Sequence, residues 1–130
     1  MAKFICNKLV RDKTVERMAH DGVASSYTIL EGNAHSQALN KKLIEEALEV
    51  EAAESEQERI QEIADVMQVI VDLCKMHNIT YDQIEAARKA TYEKRGGFEK
   101  GVYVEVIEME EDNKWAVYCR KYPHKYLEVS

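Results

Sequence analysis

Two short acidic blocks carry the chemistry this chain can offer. The first is Glu45-Glu46-Ala47-Leu48-Glu49 and the second is Glu62-Ile63-Ala64-Asp65. Residues 45–65 hold nine carboxylates and a single base, Arg59. Positions three or four apart share a helix face, so Glu46 stacks with Glu49 and Glu62 with Asp65. Two antiparallel helices that set these pairs opposite each other would form a cage of four carboxylates. Such a cage repels itself unless a cation fills it. Hard oxygen ligands that retain some water suit Mg²⁺ or Mn²⁺.

Charge runs on helices are ordinarily solvated faces, and two features set this one apart. With Arg59 the one base inside the run, the acids are expected to lack the four-residue-spaced Lys or Arg partners of a solvated helix. The second block also opens a nearly all-apolar run over residues 63–74. Acids beside a buried run need a compensating partner.

The elements that must position these acids follow from periodicity and caps. A first helix is expected over residues 13–21, with Asp12 as N-cap, Glu16 in its first turn and Gly22 as its left-handed stop. Residues 23–32, with Ser-Ser-Tyr-Thr-Ile-Leu, read as a connector. A second helix begins at Ala34 or Ser36 and runs to Ser55. Its core face is Leu39, Leu43, Ala47 and Val50, widened by Ile44 and Leu48. On that wheel Glu46 lies closest to the apolar stripe, Glu49 next and Glu45 farther round. Glu46 and Glu49 are therefore the expected ligands, with Glu45 left for a second ion or for positioning the attacking water.

A third helix spans residues 56–77 and stops at Asn78. Ile60, Ile63, Ala64, Met67, Ile70, Val71 and Cys74 recur at helical spacing and are its expected inner face. Val66, Val69 and Leu73 make it apolar nearly all round, as for a central helix or one buried in an oligomer. Asp72 is expected in a capping or inter-subunit salt bridge, and His77 as a favourable charge at the helix end. Thr80-Tyr81-Asp82-Gln83 opens a fourth helix with a capping box. Ile84, Ala87 and Thr91 face inward, and Gly96-Gly97 ends it. Residues 102–109 are strand-like, Glu111-Asp112-Asn113 reads as a turn, and residues 114–120 as a second strand, a β-hairpin appended to the helices. Residues 122–130 form a loosely held terminus.

These blocks carry a resemblance. Glu-Glu-x-x-Glu followed by Glu-x-x-Asp resembles the signature of the MazG-like all-α nucleoside triphosphate pyrophosphatases, the superfamily that includes phosphoribosyl-ATP pyrophosphohydrolase. Asn7-Lys8-Leu9-Val10-Arg11-Asp12-Lys13 and Arg95-Gly96-Gly97-Phe98 resemble its small house-cleaning branch, which acts on irregular nucleotides. The likeness covers residues 4–101. The tail beyond departs from the family pattern.

The resemblance implies an all-α, four-helix MazG-like bundle over residues 1–101, with the hairpin and tail of residues 102–130 in the same compact unit. It implies an enzyme that converts a nucleoside triphosphate and water into a monophosphate and pyrophosphate. Glu46, Glu49, Glu62 and Asp65 would hold Mg²⁺ or Mn²⁺, with Glu45, Glu46 and Glu49 as catalytic acids. Lys8, Arg11, Lys13, Lys94, Arg95, Gly96 and Gly97 would meet the substrate's phosphates, and Phe98 would plug the core or stack on a base. A homodimer or homotetramer is implied, with helices of two chains near each site. The alternatives are phosphoribosyl-ATP pyrophosphohydrolase, which the N-terminal block argues against, and a non-catalytic acidic helical module for a basic partner.

Composition agrees with a single folded domain. The chain has 130 residues, 45% hydrophobic, with one proline. A net charge of −6 disfavours a nucleic-acid polymer as partner. Acids crowd the middle, while Lys8, Arg11, Lys13 and Arg17 precede them and Arg88, Lys89, Lys94 and Arg95 follow. Metal-binding acids flanked by phosphate-binding bases are what a Mg²⁺–polyphosphate requires. No apolar run approaches membrane-spanning length and Met1-Ala2-Lys3-Phe4 leads into no signal-peptide core. Cys6, Cys74 and Cys119 lack metal-binding spacing and read as reduced thiols of a cytoplasmic protein.

Overall fold

Capping chemistry sets the helix boundaries. The computed structural model describes all 130 residues and contains five helices and no strand: α1 Thr14–His20, α2 Gly32–Ala52, α3 Glu56–Met76, α4 Tyr81–Arg95 and α5 Lys114–Lys121. The Ser55 hydroxyl accepts from the Glu58 N–H at 3.1 Å and starts α3. The capping box at α4 forms as its residues demand. Gln83 N–H donates to the Thr80 hydroxyl at 3.2 Å, and Thr80 N–H donates to the Gln83 carboxamide oxygen at 2.8 Å. At the far end of α3, Asn78 takes φ +56° and Ile79 N–H reaches back to the Cys74 carbonyl at 2.8 Å, a Schellman closure. Gly22 closes α1 the same way at φ +80°, with Val23 N–H on the Met18 carbonyl. Asp12 does not cap α1. Lys13 occupies that position with no side-chain hydrogen bond, and Thr14 N–H is met by the Arg11 carbonyl at 3.0 Å.

The chain forms two compact units, Met1–Thr91 and Tyr92–Ser130. In the first, α2 packs against α3 across the three-residue link Ala53-Glu54-Ser55. Ser36 lies opposite His77, and Glu46 opposite Glu62 and Asp65, so the two helices run antiparallel. Leu39 on α2 and Val69 on α3 are the buried residues of this pair. The partly covered residues of α2 include His35, Ser36, Leu43, Glu46 and Val50, and those of α3 include Glu62, Asp65, Val66, Asp72, Leu73 and Cys74. Most in each set recur every three to four residues, as on one helix face.

On α2 the apolar pattern selects the face largely correctly: Leu39 is buried and Leu43 and Val50 are partly covered, while Ala47, Ile44 and Leu48 are exposed. On α3 it does not: of the expected inner face only Cys74 is partly covered, and Ile60, Ile63, Ala64, Met67, Ile70 and Val71 are exposed. A helix that is apolar nearly all round does not announce which side meets its partner. Here the acids and Val69 face α2, and the isoleucine stripe is left uncovered.

In the second unit the expected β-hairpin is absent, and this corrects the reading of residues 102–120. Residues 102–109 form no ladder. Residues 114–121 are helical because Asn113 turns from turn residue into N-cap: its carboxamide oxygen accepts from Trp115 N–H at 2.9 Å. Ala116 is buried beneath. Arg120 on α5 donates to Glu128 and Glu111, which ties the terminal segment to the helix. These two carboxylates push the Arg120 guanidinium up and Arg120 holds Glu128 below the usual carboxylate range. No helix is long and apolar enough to cross a membrane.

Candidate metal centre

The antiparallel crossing of α2 and α3 puts acids from both helices at one place. One oxygen from each of Glu46, Glu62 and Asp65 lies within 4.8 Å of the others. Glu46 and Asp65 are largely withdrawn from solvent, their side chains 12% and 22% exposed. Three carboxylate oxygens gathered at this spacing could hold a metal ion.

Proximity of like charges has a visible consequence at Glu62. Lost hydration pushes its carboxyl above the ordinary value, and the charges of Asp65, Glu46 and Glu49 push the same way. Glu46 also shares a hydrogen bond with it that favours the protonated form. Two carboxyl groups in such contact relieve their repulsion either by holding a proton or by holding a cation.

Glu49 stands outside the three-acid group and is exposed, yet near enough for its charge to act on Glu62. Glu45 is flanked by Lys42 at 3.2 Å and Lys8 at 3.7 Å. The expectation that the acids lack spaced cationic partners fails at Lys42. This residue sits three before Glu45 and four before Glu46, pairing with Glu46 at 3.4 Å. Its signal was legible, since Lys42 lies just ahead of the acidic run at ordinary i,i+4 spacing.

The N-terminal block also reaches the acids. Arg11 Nη2 donates to Asp65 Oδ1 at 2.7 Å, and Gln61 Nε2 donates to the same oxygen at 3.0 Å. Lys13 is exposed at the N-cap position of α1. Asp72 accepts from Gln68 within the chain at 3.3 Å, and His77 Nε2 lies 3.4 Å from the Ser36 hydroxyl. Lys94 and Arg95 form the last turn of α4, in the second unit, and Gly96 follows at φ +78°. A side chain at Gly97 would touch the Tyr92 ring at 3.4 Å. Phe98 does not plug a core; it is 99% exposed.

No protein-family model, no curated protein and no solved structure matches this chain.

Proposed function

We propose that the chain is a Mg²⁺- or Mn²⁺-dependent nucleoside triphosphate pyrophosphohydrolase of MazG-like type that clears irregular nucleotides. The observation that carries this reading is the meeting of Glu46, Glu62 and Asp65 from two helices within 4.8 Å. These three would hold the cation, which when bound neutralises polyphosphate charge and orients the phosphates. In the reaction a water oxygen bonds to the α-phosphorus and the bridge from the α- to the β-phosphate breaks. Pyrophosphate leaves in line, and positioning with charge compensation supplies most of the catalysis.

The chain's own residues divide the remaining work. Glu49, beside Glu62 but outside the three-acid group, accepts the water's proton. Glu45 is less suited, being already engaged by Lys8 and Lys42. Lys8 and Arg11 bring positive charge to the rim of the acids, and Lys13 adds to the phosphate-binding charge of the same unit.

The protein works as a homodimer or homotetramer in this reading. The uncovered stripe of Ile60, Ile63, Met67 and Ile70 supplies the apolar face.

Pyrophosphate release from a panel of canonical and modified NTPs and dNTPs, with phosphoribosyl-ATP included, tests the reaction. Metal-dependent release that EDTA abolishes is expected. Silence across the panel sinks the enzyme reading. One observation favours the second reading, a non-catalytic helical module: Lys8, Arg11 and Lys42 already offset part of the acidic charge within the chain. That module would leave every substrate intact.

A further inference from the structure

We propose that Arg11 is a built-in counter-ion that holds Asp65 until a divalent cation displaces it, freeing the segment ahead of α1. The inference rests on the cation-binding reading of Glu46, Glu62 and Asp65 given above. It concerns what the chain does before the cation arrives.

Asp65 is the one member of the three-acid group that an N-terminal residue holds. Its Oδ1 accepts from Arg11 at 2.7 Å and from Gln61 at 3.0 Å, so this oxygen is occupied twice over. The two donors differ in tether. Gln61 lies on α3 one turn before Asp65 and stays with it. Arg11 lies outside any helix, just before α1, in a segment whose second ionic contact to the acids is Lys8 on Glu45 at 3.7 Å. The segment can therefore leave with the loss of only the backbone bond from Thr14 N–H to the Arg11 carbonyl at the start of α1.

A divalent cation drawn to Asp65 repels the guanidinium already on its Oδ1, and the repulsion grows as the two approach. Arg11 is 61% exposed, and exposed ion pairs are weak and salt-sensitive. A divalent cation gathering three carboxylates wins that competition. Once released, the planar fork of Arg11 is free for the ligand it matches best, a phosphate group. The contact thus acts as an autoinhibitory latch that presents Arg11 to substrate only after the cation is in place. Cation loading and phosphate binding become ordered, with the coupling built into one residue.

The test uses Mn²⁺ alone, without nucleotide, on the full chain. Calorimetric titration compares wild type with Arg11→Ala and Arg11→Lys, and amide exchange by mass spectrometry follows residues 4–13. Arg11→Ala is expected to bind Mn²⁺ about two- to five-fold more tightly than wild type, the scale of an exposed ion pair removed from competition. Arg11→Lys, which keeps the charge, stays close to wild type. In the wild type, Mn²⁺ speeds exchange over residues 4–13 while slowing it across α2 and α3. If wild type binds Mn²⁺ and Arg11→Ala binds it equally or less tightly, the latch is overturned and the metal reading stands. If neither protein binds Mn²⁺, the metal reading itself has failed and takes the latch with it.

Discussion

Glu62 and Ile63 are neighbours on α3 that serve different sides of the helix. Glu62 joins Glu46 and Asp65 at the contact with α2, while Ile63, about 100° farther round, is 46% exposed. The same helix therefore offers acids to its partner in the chain and an apolar stripe to the outside. The stripe of Ile60, Ile63, Met67 and Ile70, at spacings of three, four and three, has the spacing that a helix-packing seam requires. The protein is expected to run at twice 15.0 kDa or more in light scattering at micromolar concentration. Ile63→Glu or Met67→Glu should drive it toward monomer, since a charge in an apolar seam lacks a partner. A wild-type monomer at that concentration contradicts the assignment of this face.

The acids themselves are tested by neutral isosteres. Glu62→Gln and Asp65→Asn should each lower metal-dependent pyrophosphate release on the order of a hundredfold or more. Helical circular dichroism should stay unchanged, because each change removes like-charge repulsion. Glu51→Gln, an exposed acid of α2 outside the group, should leave turnover within about twofold. Equal loss in all three variants would mean that general acidity, and not this centre, supports activity.

Proton and cation compete for the same carboxylates, which gives a pH signature. The folded-state pKa of Glu62 lies above its ordinary 4.5. Between the two values the folded chain binds more protons than the unfolded chain, so its stability falls as pH rises. This contribution is fully present below the ordinary value and lost once pH passes the raised one. The metal-free protein should thus melt at lower temperature as pH climbs through that window, and Glu62→Gln should flatten the trend. Added Mg²⁺ should raise the melting temperature less as pH falls through that window, because protons then compete for Glu62. A Mg²⁺ shift that stays the same above and below the window would speak against Glu62 as a ligand.

The helices were legible where local chemistry sets them. Thr80-Gln83 and Gly22 act within a few residues of where they stand, and both caps form at their expected place. Ser55, expected as the last residue of α2, is instead the N-cap of α3. The convergence of Glu46 with Glu62 and Asp65 was legible too, because a short link between two amphipathic helices forces an antiparallel crossing. What stayed hidden depended on distance or on a tie. Arg11 and Asp65 are 54 positions apart, and no periodicity predicts their bond. The choice between two apolar faces of α3 was decided by the acids rather than by the isoleucines. Residues 114–120, rich in Trp, Val and Tyr, favour a strand by type, and one Asn113 side chain tipped them to helix.

That last point can be tested directly. α5 has eight residues, and a helix this short is marginal without tertiary contacts and caps. Asn113 supplies the one side-chain acceptor at its start, on Trp115 N–H. Asn113→Ala should cost about 1 kcal/mol locally and speed amide exchange at Trp115 and Ala116. Asn113→Asp should restore protection, since its carboxylate also accepts from the N–H groups and suits the positive end of the helix. Backbone chemical shifts for residues 114–121 report the outcome. Strand-like shifts in the wild type, with cross-strand contacts to residues 102–109, would reinstate the hairpin and remove α5.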